Sequence, residues 1–595
     1  MERFVSTTTL IGILLLSMPI GVAGDDANDD DTVIDDPVAI GMDKEEVSVN
    51  IYFAGIGLAL LVRTAVYLYC AKLRNGEEAT GEICNQEESM SIFARSVSFR
   101  IGMALIPALF LVKLGSYVDD YQCVTTESET FDDDAGIHTR TNTKLPVAID
   151  LTLLVFLILE IIAARSIFGC CGKRLGPKGQ LFIQHILPAL AVLVLWLIAI
   201  ANTFLMSGNL DIIIDCEPDD DYVDAYAKGG WDALNDALYA SLRFQQAFAY
   251  GGTAMFLIIE ILGGVALWQA HTKQSLGTTD HQQQLLTGES EMRVTIQNDV
   301  GPEPADVPLG ITVDNQDFHA LLTPFMHECV FMFIAALFMA SRGTLYEYKG
   351  VNKLYFETTF FNQALAVLII FVVLEAACLV ARVRSLFFGF HRCPLGLLVC
   401  YMWILAIVCA IHNYNSTFQE TLEDVDASNI QTSATLAYYT TAEIFAFVGL
   451  GLYLSSFLGR DLLQPLIDPE KKLPSVTGRG YFLLVGGLYM VFEAVDETAG
   501  DDKLTWNKSY SIWTSVFLLA YLFFDLLVLS AAIGGFILTT NGTTDTSTIR
   551  NAYFGVMGVQ FVVILAMWIL VNCNAYALQS LDNYDTGTDD HFWMI

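Results

Sequence analysis

Twelve apolar stretches, each long enough to cross a bilayer, recur between residues 50 and 578 of this 595-residue chain. A hydrocarbon core about 30 Å thick needs roughly 20 mostly apolar residues in helical form, and a helix satisfies its own backbone groups where no water can. The stretches run approximately 50–72, 93–118, 146–168, 180–206, 239–268, 319–342, 355–381, 394–414, 434–459, 474–495, 508–538 and 550–578. With 54% hydrophobic residues, little of the chain is left for a soluble domain. The expected fold is an all-α polytopic membrane protein of about 12 transmembrane helices.

Residues 1–24 read as a signal peptide: Arg3, the apolar run Leu10 to Ile20, then small residues at Ala23 and Gly24 before Asp25. Its cleavage leaves the acidic segment 25–48 outside. Lys72 and Arg74, Arg165 to Lys178, Arg382 to Arg392, and Arg460 to Lys472 fall in loops on one side, as the positive-inside bias requires of cytosolic loops. The acidic tail 579–595 then also lies outside. This places both termini extracytoplasmic, in a plasma, vacuolar or other endomembrane of the secretory pathway.

Asp and Glu number 66 against 31 Lys and Arg, a net charge of −35, which excludes nucleic acid as a partner because phosphates need cationic side chains. The excess lies mainly in the predicted outer loops, such as Asp119 to Asp134 and Asp211 to Asp236. Its plainest meaning is a solvated coat. An Asp220-Asp221-Tyr222-Val223-Asp224 run has a spacing that suits Mg²⁺, but it stands alone within an acidic loop. No GxxxxGK[ST], HExxH, GxSxG or paired CxxC motif occurs. No enzyme activity or cofactor is therefore assigned, and no metal ligands are identified.

Outer Cys123 and Cys216 are disulfide candidates, and Cys170, Cys171 and Cys393, at cytosolic helix ends, are palmitoylation candidates. The sequons at Asn415 and Asn507 fall outside in this topology, and that at Asn541 falls inside.

An internal repeat divides the spans into three blocks of four, 49–206, 239–414 and 434–578. Each third span carries an acid: Glu160 in Leu-Ile-Leu-Glu-Ile-Ile, Glu375 in Val-Val-Leu-Glu-Ala-Ala, and Asp525 in Leu-Phe-Phe-Asp-Leu-Leu. Fourth spans share a tryptophan, at Trp196, Trp403 and Trp568. The competing division is five plus seven spans, separated by the polar segment 270–317. That segment reads as a disordered cytosolic tether, with a protein partner as its functional alternative.

Ionisable groups inside apolar helices cost about 3 kcal/mol each on the mildest scales, so they call for a purpose. Glu160, Glu260, Glu328, Glu375, Glu443 and Asp525 lie within spans, accompanied by His185, His327, a deep Arg63, and shallower Arg100 and Arg243. Such a set suits a proton- or cation-linked secondary transporter or channel. In that reading Glu160, Glu375 and Asp525 are repeat-related ion sites, Glu260, Glu328, Glu443 and His327 are relays, and Arg63 is a counter-charge. The alternative is a receptor or membrane organiser whose buried acids pair locally and orient the bundle.

Overall fold

The computed structural model describes residues 81–114, 144–168, 176–215, 231–287, 315–342, 344–349, 351–356, 358–383, 392–423, 429–458, 480–492, 496–498, 503–505, 508–540 and 546–582. The signal peptide, the acidic segment 25–48, the span 50–72 with Arg63, Cys123, Cys170, Cys171, Cys216, the 220–224 run, Asn507 and Asn541 lie outside these residues.

The described helices are α1 (Gly81–Leu114), α2 (Lys144–Phe168), α3 (Pro177–Leu181), α4 (Leu187–Asp215), α5 (Trp231–Thr287), α6 (Asn315–Arg342), α7 (Thr358–Val383), α8 (Arg392–Glu423), α9 (Asn429–Phe457), α10 (Gly480–Phe492), α11 (Lys508–Thr540) and α12 (Thr546–Asp582). A single π-helical turn, Phe182–Ile186, joins α3 to α4, so the two form one continuous rod. Among the described residues, eight stretches are long and apolar enough to cross a membrane, from Val147–Ala164 to Gly555–Asn574. The chain is a multi-pass membrane protein by this measure.

Three further apolar stretches, Ser96–Val112, Phe325–Ser341 and Gly480–Phe492, are shorter. They belong to α1, α6 and α10, which pack against one another at the centre, and every residue of α10 is buried. The longer helices surround them. Their outward faces carry large exposed apolar side chains, including Ile158, Val194, Ile261, Val373, Ile404, Phe523 and Val562. In water such a belt would be an aggregation surface, whereas in a bilayer it is the lipid-facing side.

Two departures from a purely helical, loop-linked chain are visible. Short antiparallel hairpins follow two of the central helices: β1 (Thr344–Lys349) with β2 (Val351–Phe356) after α6, and β3 (Asp496–Thr498) with β4 (Lys503–Thr505) after α10. The first is rich in the aromatic residues that favour strands, with Tyr346 and Tyr348 opposite Leu354 and Asn352. Helix α5 also continues beyond its apolar part to Thr287, so the first third of the expected tether is helical. Ala270, Lys273, Gln274 and the glutamines 282–284 are adequate helix formers, and no Pro interrupts them.

A buried charge cluster as candidate functional site

Arg100 and Ser96 stand one turn apart on α1 and so share a face. Helix α2 contributes Glu160, the π turn contributes Gln184 and His185, and α5 contributes Glu260. All of them are buried: Arg100 is 0% exposed, His185 4%, Glu160 5% and Glu260 6%.

The guanidinium is fully committed. Its Nε donates to Glu160 Oε1 at 2.6 Å, and Nη2 donates to Glu160 Oε2 at 3.3 Å and to the Gln184 carbonyl at 3.2 Å. Nη1 reaches Ser96 Oγ at 2.9 Å and His185 Nδ1 at 3.3 Å. Arginine has five N–H donors, and these contacts use them all.

Local sequence explains why a backbone carbonyl is available. Pro188 has no N–H to give to the carbonyl four residues earlier, that of Gln184. The widened π turn at the same place is a device often found at functional positions, and here the released carbonyl accepts from Arg100.

The same contacts fix the imidazole. Nδ1 of His185 faces Arg100, which can only donate, and lies 3.4 Å from Ser96 Oγ, so this nitrogen accepts. Nε2 therefore carries the proton and donates it to the backbone carbonyl of Glu260 at 2.7 Å. Glycines admit the ring: Cβ atoms at Gly263 and Gly264 would stand 3.3 Å and 3.0 Å from it.

Glu260 is left in an unusual position. Its Oε2 lies 3.1 Å from His185 Nε2 and 3.9 Å from Arg100 Nη1, but neither carboxyl oxygen forms a hydrogen bond. A buried carboxylate without a donor forfeits its hydration with nothing in return.

The other intramembrane acids have different surroundings. Asp525 on α11 accepts from Ser455 on α9 and from Gln560 Nε2 on α12, the latter at 3.3 Å. Glu328 on α6 and Glu375 on α7 are fully buried and both within electrostatic reach of Cys329. His327 is hydrogen-bonded to Tyr481 of α10. Glu443 is half-buried on α9, and Arg243 is exposed on α5. Glu160 and Glu260, predicted as separate path members, are thus brought together, whereas Glu160 and Asp525 are each held by their own neighbours. Cys393 lies at the start of α8, and Asn415 is exposed on α8 at the end of its apolar stretch.

The sequence marks His185 as a proton-exchanging or hydrogen-bonding neighbour of the acids and Arg100 as a shallow cation, without pairing either with Glu160 or Glu260, and it does not show the setting of the tryptophans. Trp196, Trp403 and Trp568 are all fully buried. A Cβ at Gly252 would fall within the Trp196 ring, and one at Gly449 within the Trp403 ring. Phe248 flanks Trp196 at 5.7 Å, as Phe445 flanks Trp403 at 5.9 Å. Both glycines end a Phe-Ala-x-x-Gly pattern, Phe248 to Gly252 and Phe445 to Gly449, and the same spacing stands at Phe53 to Gly57. That spacing was the available signal.

Comparison with protein-family models, with curated proteins and with solved structures finds no match to this chain.

Proposed function

We propose that the chain is a proton- or cation-linked secondary transporter or channel of three four-span blocks, with the Arg100, Glu160, His185 and Glu260 cluster as its ion-exchange site. The observation that carries this reading is the arrangement of two buried carboxylates around one guanidinium whose donors are exhausted by the first of them and by neutral groups. A purely structural ion pair needs one acid, and a second costly acid without a hydrogen bond suits a group that changes its ionic state.

Several features support the block division. The tryptophan–glycine seats of Trp196 on Gly252 and Trp403 on Gly449 repeat in kind, hairpins follow α6 and α10, and the third-span acids Glu160, Glu375 and Asp525 are all buried. Repeats meeting around intramembrane polar groups are a common transporter architecture.

The full chain reconstituted in liposomes tests this reading. Imposed pH or cation gradients should dissipate faster than in protein-free vesicles, and preserved gradients of both kinds would reject transport.

An organiser role is the second reading, favoured by the packed aromatic centre in which Phe331 meets Trp403, Tyr453 and Tyr481 at ring-centroid distances of 6.5, 5.4 and 5.7 Å. Its partners would bind through the acidic outer loops or the 270–317 connection.

A further inference from the structure

Resting on the transport reading, the geometry points to the proton as the exchanged ion, with Glu260 as its carrier and Arg100 as a built-in cation in the place a free metal ion would need.

A metal cation would have to lie between the Glu160 and Glu260 carboxylates to draw oxygen ligands from both. Arg100 already reaches into that space, 2.6 Å from one carboxylate and 3.9 Å from the other. Among the described residues, no group of three or more His, Cys, Asp or Glu side chains is placed to hold a metal ion.

Proton accounting then selects one group. The charged or titratable groups facing Glu260 among the described residues are Arg100 from α1, Glu160 from α2 and His185 from the π turn. Arg100 keeps its charge at any working pH. Glu160 receives two of its N–H donors and is the matched anion. His185 has its one proton committed to the Glu260 carbonyl, and a second proton on Nδ1 would confront the guanidinium N–H donors. Glu260 alone has no donor to stabilise an anion. As a carboxylic acid it makes the cluster electrically neutral: one guanidinium, one carboxylate, one neutral imidazole and one neutral acid.

Exchange is the simplest acid–base step. The Glu260 O–H bond breaks, its electron pair stays on the carboxylate, and the proton passes to a water molecule admitted to the site; the reverse step reloads it. Deprotonated Glu260 competes with Glu160 for the guanidinium, which lies within 3.9 Å of both, so loss of the proton draws α1, α2 and α5 into a different arrangement. This couples ionic state to helix position.

Infrared spectroscopy of the purified full chain, in H₂O and D₂O, reads the protonated carboxyl directly through its C=O stretch. The wild type at neutral pH should show a deuterium-sensitive carboxylic-acid component that is missing from Glu260→Gln and retained, displaced in frequency, in Glu260→Asp. Glu160→Gln should weaken it, because Glu260 is then the one carboxylate left to balance Arg100. A carboxylic-acid band in Glu260→Gln identical to that of the wild type would overturn the assignment; a monodisperse elution profile of each variant establishes that it is folded.

Flux separates the underlying reading from this one. Proton flux in liposomes that is at least tenfold lower in Glu260→Gln supports both, and Na⁺ or K⁺ flux that persists in Glu260→Gln at clamped pH retains transport and overturns the proton. Absence of every flux alongside the infrared signature rejects transport and leaves Glu260 as a proton-holding structural acid, which overturns its role as a carrier.

Discussion

The indole of Trp403 lies directly over Gly449, so that α8 and α9 approach as closely as a missing side chain permits. Trp196 over Gly252 is the same relationship between α4 and α5. Large aromatic groups seated on glycine give van der Waals contact where lipid removes the usual hydrophobic gain from helix association.

Gly449→Ala should therefore destabilise the protein by about 3 kcal/mol, since the inserted methyl must displace a buried ring. Gly451→Ala, where the nearest atoms are the Leu522 methyls at 3.0 and 3.1 Å, should cost less because a leucine end can rotate. Thermal unfolding in detergent measures both. Trp403→Phe combined with Gly449→Ala should recover part of the loss, and equal effects of the two alanine substitutions would reject the seating.

Arg100→Leu should be more damaging than the double substitution Arg100→Leu with Glu160→Leu. The single change leaves an unpaired buried carboxylate, a situation worth about 3–5 kcal/mol, whereas removing both partners leaves apolar packing. Folded yield and melting temperature supply the comparison. Recovery in the double variant requires Glu260 to tolerate the absence of a cation, as a neutral acid does.

Ser455→Ala should lower stability by about 1–3 kcal/mol, because it removes a buried donor from Asp525. Asp525→Asn should stay folded, its amide still accepting from Ser455. Denaturation curves distinguish the two, and a neutral Ser455→Ala would mean that Asp525 is not anchored by this contact.

Glu375→Gln is expected to change proton or cation flux while leaving surface expression intact, as Glu375 is a fully buried acid within a membrane-spanning helix. Surface biotinylation alongside liposome flux is the measurement. Unchanged flux with normal expression would assign Glu375 to packing.

Topology has its own test in Asn415, exposed at the end of the α8 apolar stretch. Glycosidase treatment should increase gel mobility of the wild type, with a smaller increase for Asn415→Gln and no change in that increase for Asn541→Gln. The opposite pattern would invert the chain across the membrane.

Hydropathy alone suffices for the helices, since a predominantly apolar run such as Val147–Ala164 satisfies its backbone in lipid by coiling on itself, and it marks Glu160, Glu260 and Asp525 as costly groups. The sequence located Trp196, Trp403 and Trp568 as recurring features. Hydropathy could not separate the central α1, α6 and α10 from the lipid-facing helices, because protein interior and hydrocarbon are both apolar to a side chain. Nor could it show that Glu260 meets Arg100, 160 positions earlier, while Asp525 meets Ser455 and Gln560. Such pairings follow from how the helices pack: a carboxyl's neighbours come from other helices, and the number of donors they have left determines whether its charge is matched.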